Sequence, residues 1–307
     1  MTSHPSIAAV VVTYQCDAGI AAALERLLGE VQQIYVVDNG SDAPAITAMQ
    51  VLATQYPSRI IVILNPDNVG IAAAQNQGIK QALATGLEWV LFMDQDSTPA
   101  PGMIGRMLAA WREENNPRLG IIAPLLVEQN APIPARYLTQ WGIRKALKPG
   151  DHFLGAVRVI ASGSLVRCEL FRAIGLMEEA FFIDYVDHEF CLRARRQGYR
   201  ILIAGDALLY HRQGHKQRHH VLGLTVTASH YPASRYYTIV RNRLWVLRRY
   251  GSDFLWLWPH ELAAFGWDIG RMLLFETNKG DKLAAIWRGM CEGLGQTIPN
   301  SSSVRGR

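Results

Sequence analysis

Cysteine is scarce and scattered in this sequence. Its 4 cysteines, Cys16, Cys168, Cys191 and Cys291, are too widely spaced for a paired metal-ligand motif. That excludes a disulfide scaffold and fits a reducing compartment. The start, MTSHPSIAAVVVTY, lacks the basic opening and cleavage site of a signal peptide, and a cytoplasmic protein is expected. No low-complexity tract occurs; only Met1–Ser6 and Pro299–Arg307 have the composition of disordered ends. There is no Gly-Lys-Ser/Thr, which argues against a P-loop, and no Gly-X-Gly-X-X-Gly after a strand, which argues against a dinucleotide fingerprint.

What remains is a chain of 307 residues, 49% hydrophobic and 19% charged, enough for a sizeable core and one or two domains. Its net charge of +5 is unevenly placed. Residues 1–199 carry 16 Lys/Arg against 19 Asp/Glu, whereas residues 200–307 carry 15 against 7. The basic C-terminal third calls for an anionic partner: nucleic acid, phospholipid or a phosphate-bearing acceptor.

Four short apolar runs, Ala8–Thr13, Ile34–Asp38, Ile60–Leu64 and Trp89–Met93, read as parallel strands buried on both faces. Helical stretches lie between them at Ile20–Leu28, Ala45–Gln55 and Ile71–Thr85. The alternation predicts an α/β fold with a mostly parallel, doubly wound sheet flanked by helices. Ligands bind such sheets outside the C-terminal ends of the strands. Four polar clusters are therefore expected on one edge: Thr13-Tyr14, Asp38-Asn39-Gly40-Ser41, Asn65 to Gly70, and Asp94-Gln95-Asp96. Further on, Val159–Val166 and Ile201–Ala204 read as strands and Asp187–Gln197 as a helix, with loops and an antiparallel excursion between 124 and 160. Phe254–Phe275 is nearly long enough to span a bilayer, but it contains Glu261, Asp268, Arg271 and Pro259. It reads as an amphipathic helix pair, either lying on a membrane surface or packed on the catalytic domain.

Asp94 and Asp96 put two carboxylates one residue apart at a strand end, with no Lys or Arg near them in sequence. Such a pair favours a divalent cation, Mg²⁺ or Mn²⁺, which also bridges diphosphate oxygens. Asp38 suits ribose hydroxyls or a base N–H, and Gly70 opens a helix whose first turn presents N–H groups to a ligand. A third region, Phe181 to Phe190, brings Asp184, Asp187 and Glu189 among bulky apolar residues, after Ser162-Gly163-Ser164. A carboxylate there is a candidate general base, and helix capping by Asp187 explains the pattern as readily. His211, His215, His219 and His220 fit one helical face or a basic loop equally well.

Taken in order, VVVTY, VVDNGS, NPDNVGIAAAQNQG, LFMDQDS, SGSLV and FFIDYVDHEFCLRARRQGY resemble the family 2 inverting glycosyltransferases with a GT-A fold. The segments FIDYVDHEFCLRARRQGY and RYYTIVRN resemble, more narrowly, bacterial dTDP-rhamnosyltransferases of polysaccharide biosynthesis. The resemblance spans roughly residues 7–250. It implies a glycosyltransferase domain over 1–250 and a helical extension over 251–307. It assigns the nucleoside to Thr13, Tyr14, Asp38 and Asn39, and the donor pocket to Asn68, Gly70 and Asn76. Asp94 would contact ribose or metal, Asp96 would be the main metal ligand, and His211 would lie near them. Ser162, Gly163 and Arg241 would meet the acceptor or diphosphate, with Arg235 and Asn242 as further phosphate candidates. Asp187 would be the base. Many relatives have Glu-Asp where this chain has Val186-Asp187, which leaves Asp184 and Glu189 as weaker candidates. The implied partners are a nucleotide-sugar donor and a lipid-linked saccharide acceptor at the inner face of the cell membrane, with peripheral contact through the C-terminal helices; nucleic acid drops out. A donor carrying UDP or GDP is the nearest alternative. A sugar-nucleotide pyrophosphorylase is disfavoured because TYQCDAGIAAAL lacks the basic, Gly-rich loop. A non-catalytic binding module leaves the strand-end acids unexplained.

Overall fold

The computed structural model describes residues 5–16, 19–128, 136–139, 143–152, 154–211, 217–221 and 224–295. It comprises two compact units, Met1–Phe182 with Val186–Arg212, and Ile183–Tyr185 with Gln213–Arg307.

The first unit begins with β1 (Ile7–Thr13), α1 (Gly19–Leu28), β2 (Gln33–Asp38), α2 (Ala43–Gln55), β3 (Ile60–Leu64), α3 (Ile71–Ala84) and β4 (Trp89–Asp94), as the alternation predicts. It continues through β5 (Ser97–Pro99), α4 (Met103–Glu114), β6 (Leu119–Glu128), β7 (Arg136–Leu138), β8 (Arg144–Ala146), β9 (Leu154–Ala156) and β10 (Leu165–Arg167). Then come α5 (Cys168–Ile174), a 3-10 turn at Glu179–Phe181, α6 (Val186–Arg196) and β11 (Arg200–His211).

The main sheet has the order β3-β2-β1-β4-β10-β6-β11-β5, with β9 also on β11. Strands β1 to β4 are parallel, and β10 runs antiparallel between β4 and β6. Its two faces explain the continuous apolar runs. Ile7, Ala9 and Val11 join Leu24, Ile34, Trp89 and Met107 in one buried cluster. On the other face α3 lies on β1 so closely that a Cβ at Gly78 would sit 2.5 Å from Val10. Because β2 and β4 flank β1, the chain reverses direction across the sheet between β1 and β4. That switch point opens a crevice at the strands' C-terminal ends.

Three segments differ from expectation. Val159–Val166 is a strand only at its end, because Gly163 adopts φ +78° and Ser164 Oγ donates to the Ile160 carbonyl at 2.6 Å. The end of strand β6, residues 124–128, lies where loops were expected, and β7 pairs antiparallel with β8 in the expected excursion. His211 lies in β11 and His219 and His220 in strand β12 (Gln217–Val221), which pairs with β13 (Leu224–Ala228), while His215 lies outside the described residues.

The second unit adds α7 (Ala233–Tyr250), α8 (Leu257–Phe275) and α9 (Lys279–Gly295). Tyr236 and Val240 of α7 form a core with Met272 of α8 and Ile286 of α9. This core groups α7 with α8 and α9 in the C-terminal unit. Phe254–Phe275 contains one long helix, not a pair. Among the described residues, no helix is long and apolar enough to cross a membrane.

Candidate active site

The polar strand ends meet at the switch point. Register places Thr13 beside Asp38 and Val12 beside Asp94. Asp38 is fully buried and accepts from Thr13 Oγ1 at 3.0 Å, from Ser41 N at 2.8 Å and from Ser41 Oγ at 2.5 Å. Thr13 and Asp38 therefore shape the crevice floor with their side chains turned to each other. Tyr14, 49% exposed, reaches the opening. Its N–H donates to Gln95 Oε1 at 2.8 Å, and Gln95 Nε2 donates back to the Tyr14 carbonyl at 3.0 Å. This clamp between β1 and β4 gives Gln95 a role that the sequence reading passed over. Its position between two conspicuous acids was the available signal.

Asn39 and Asn68 lace the neighbouring loops together. Asn39 Nδ2 donates to Asn68 Oδ1 at 2.9 Å, and Asn68 Oδ1 also accepts from Gly70 N at 3.0 Å. Gly70 has φ +86°, and a Cβ there would lie 2.6 Å from the Phe182 ring. Only glycine satisfies both demands. Phe182, itself at φ 61°, accepts from Ile71 N at 2.7 Å and leaves its ring 42% exposed. Asn76 stands apart from this group. It is buried, with its amide hydrogens on the Met177 carbonyl (2.9 Å) and Glu179 Oε1 (2.8 Å), and its oxygen accepting from Met177 N (2.9 Å). Both donors are engaged, and Asn76 tethers the 177–179 segment.

One short loop links the paired acids to the candidate base. Ser162 Oγ accepts from Asp94 N at 3.2 Å and bonds Ser97 Oγ at 2.9 Å. The adjacent Ala161 N–H donates to Asp187 Oδ2 at 3.2 Å. Asp187, in the first turn of α6, also accepts from His188 N at 2.8 Å. These two N–H groups hold the carboxylate at the start of α6. The other two acids are engaged elsewhere. Glu189 is buried against Arg193 at 2.9 Å, and Asp184 takes a two-point contact from Arg235 at 3.0 and 3.1 Å. Asp187 has no ion-pair partner among the described residues. Cys191, buried near it, is pushed up to about 12 by burial and is no nucleophile at neutral pH.

The cations assigned to phosphate have partners inside the second unit. Arg235 holds Asp184, while Asn242 Nδ2 donates to the Ile183 and Asp184 carbonyls at 2.9 Å each. Arg241 lies 3.6 Å from Glu292 and over the Trp245 ring at 4.4 Å. RYYTIVRN thus anchors Ile183–Tyr185, just before α6.

For a divalent cation the crevice offers the carboxylates of Asp94 and exposed Asp96. Strand pairing sets His211 of β11 opposite Ser97, one residue beyond Asp96; the His211 side chain lies outside the described residues. Among the described residues, no three His, Cys, Asp or Glu converge as a ligand set. Two strand-end carboxylates fit a hard ion that takes its other ligands from water and diphosphate.

Residues 8–174 match glycosyl transferase family 2. Over 251 residues the chain is 31% identical to the dTDP-rhamnosyl transferase RfbF of Shigella flexneri, covering 80% of this chain and 81% of that protein. The chain belongs to glycosyl transferase family 2. This family 2 glycosyltransferase is also 27% identical over 278 residues to galactofuranosyltransferase GlfT1 of Mycobacterium tuberculosis, covering 85% and 88% of the two chains. Its fold is similar to that of GalNAc-T7 solved with UDP, GalNAc and Mn²⁺, at a TM-score of 0.60 and 11% identity. That match covers 81% of this chain and 48% of the other, so the chain spans about half of that structure. Staphylococcus aureus TarS 1–349 matches at a TM-score of 0.52 and 15% identity, over 98% and 75% of the chains. These two likenesses bear on the fold alone, which is GT-A-like. A glycosyltransferase of this family joins a sugar from a nucleotide-sugar donor to a saccharide acceptor.

Proposed function

We propose that this glycosyltransferase moves L-rhamnose from dTDP-L-rhamnose to a lipid-linked saccharide at the inner face of a bacterial membrane, with inversion at the anomeric carbon. The supporting observation for the chemistry is the Ala161-Ser162 loop, which holds both the Asp94 strand end and the Asp187 carboxylate. The rhamnosyl donor rests on the likeness to RfbF.

In this reading Asp187 accepts the proton of the acceptor hydroxyl. The hydroxyl oxygen bonds to the anomeric carbon as the bond to the diphosphate oxygen breaks, and the nucleoside diphosphate departs with that electron pair. A single displacement on the opposite face needs one base and no enzymic nucleophile. Tyr14 and Phe182 offer exposed rings at the crevice for a nucleobase or sugar. Asp94 and Asp96, with His211 beside them, would hold Mg²⁺ or Mn²⁺. When bound, the ion supplies charge neutralisation at the leaving diphosphate.

The deciding experiment is a calorimetric screen of dTDP-, UDP- and GDP-sugars with and without Mn²⁺. Tight binding of dTDP-rhamnose alone is the expected result. Preference for a UDP- or GDP-sugar would remove the rhamnosyl assignment. Metal-independent binding, or unchanged binding by Asp96→Ala, would remove the cation from Asp94 and Asp96. The expected loss in Asp96→Ala exceeds the roughly 10–100-fold seen when a residue merely supporting a metal ligand is removed.

A further inference from the structure

Helix α8 is turned inside out for a helix facing water. Trp258, Leu262, Trp267, Leu273 and Leu274 are 41%, 58%, 59%, 41% and 73% exposed. The helix's remaining exposed positions are proline, alanine and glycine, so none of its exposed residues is charged. At about 100° per residue, all of these fall on one half of the helix. Glu261, Asp268 and Arg271 occupy the other half, where a network holds them. Arg243 Nη2 donates to Asp268 at 2.8 Å and Arg243 Nε lies 3.2 Å from Glu261, which is 1% exposed. Tyr185 donates to Glu261 at 2.5 Å, and Arg271 donates to Asp268 at 2.6 Å. An ordinary surface helix buries its apolar stripe and exposes its charges. This one buries Glu261 together with Leu257 and Met272 and exposes no charge, and the ion network fixes which way it faces.

A contiguous apolar face of this kind marks an interaction surface, and charge indicates the partner. Asp184, Glu261, Asp268, Glu276 and Glu292 each lie against a cation of the same unit. Arg248, Lys279 and Arg288 are exposed, as are Asp253 and Asp281, and α9 adds exposed Leu283, Trp287 and Leu294. The headgroup layer of a bilayer is where tryptophan partitions, and an anionic one complements the 15 Lys/Arg against 7 Asp/Glu of residues 200–307. No described helix can cross that bilayer, so insertion is shallow.

We propose that α8 lies flat in the headgroup layer of an anionic bilayer, with Trp258, Leu262, Trp267 and Leu274 immersed and the Arg243–Glu261–Asp268 network facing the protein. This rests on the membrane-side acceptor proposed above, but vesicle binding requires neither donor nor acceptor, so the two fail separately. The test is co-sedimentation of the full chain with vesicles of phosphatidylcholine containing phosphatidylglycerol, and with pure phosphatidylcholine. Expected are binding to the anionic vesicles that weakens with salt, and a loss of at least about tenfold in the variant Trp258→Glu/Trp267→Glu. Trp258→Phe/Trp267→Phe should retain most binding. Circular dichroism and transfer to a soluble acceptor should be unchanged in both variants. Absence of wild-type binding, or equal binding by the Glu variant, overturns the proposal. So does a dimer in analytical ultracentrifugation that the Glu variant dissociates, which would give the face to a second copy.

Discussion

Asp38 and Asp187 in the first unit are held by neutral N–H and hydroxyl groups, whereas Asp184, Glu261, Asp268 and Glu276 in the second unit lie against arginine or lysine. Neutral donors fix a carboxylate's position and leave its charge available to substrate. A cation neutralises the charge and turns the carboxylate into a structural joint. The same residue type therefore has different prospects at Asp38 and Asp187 and in the second unit, and substitutions should separate them. Asp187→Asn should leave folding and donor binding intact and lower transfer by about 10²–10⁴-fold, the usual contribution of a positioned base. Single-turnover transfer and donor calorimetry check both halves; normal turnover would remove Asp187 from the chemistry.

Arg243→Ala should do the opposite. Its guanidinium serves Glu261, Asp268 and Tyr185 at once, and it is nearly buried. Removing it leaves buried carboxylates without their cation, a loss of about 3–5 kcal/mol. Denaturant unfolding should show that loss, while whatever fraction stays folded binds donor normally. A loss under about 1 kcal/mol, the value of an exposed pair, would mean the network is dispensable. Gly70→Ala falls between the two classes. Its positive φ and the Phe182 ring make any side chain strained, costing roughly 1–3 kcal/mol. Donor binding should weaken with it, because the strain falls on the Asn68–Gly70 loop.

The parallel half of the sheet was legible because strands covered on both faces must be apolar throughout. WVLFM and IYVVD have no other economical reading, and the strand-end polar residues followed from topology. Ser162 was visible as a residue, but its bond to the Asp94 N–H joins positions 68 apart and depends on β10 lying against β4. Strand β6 was missed because its apolar run is broken by Pro124 and embedded in a proline-rich stretch. The partners of the arginines were hidden for a related reason. Positive charge is visible in sequence, but its partner is not: Asp184 is 51 residues from Arg235, and Glu261 is 18 from Arg243. Asn76 likewise could not be told from a ligand contact until its amide was seen on Met177, 101 residues away.

The smallest expected effect concerns pH and Glu276. Burial alone would raise this carboxyl, but Lys282 at 2.7 Å, the Tyr236 hydroxyl at 2.9 Å and the His230 N–H at 3.0 Å outweigh it and hold the group below its ordinary 4.5. A depressed carboxyl binds a proton less readily in the folded chain than in the unfolded one. Its stabilisation is complete above the unfolded value and disappears as pH falls through the lower, folded value. Glu276→Gln should therefore lower stability near pH 7 by about 1 kcal/mol, or roughly 2–4 °C in Tm. That gap should narrow as the pH is lowered through the carboxylate range, with both proteins followed by circular dichroism. A constant gap would show that Glu276 acts through packing and hydrogen bonding alone. It would then differ from the other paired acids of its unit, and the contrast with Asp187 would rest on Arg243 and its partners.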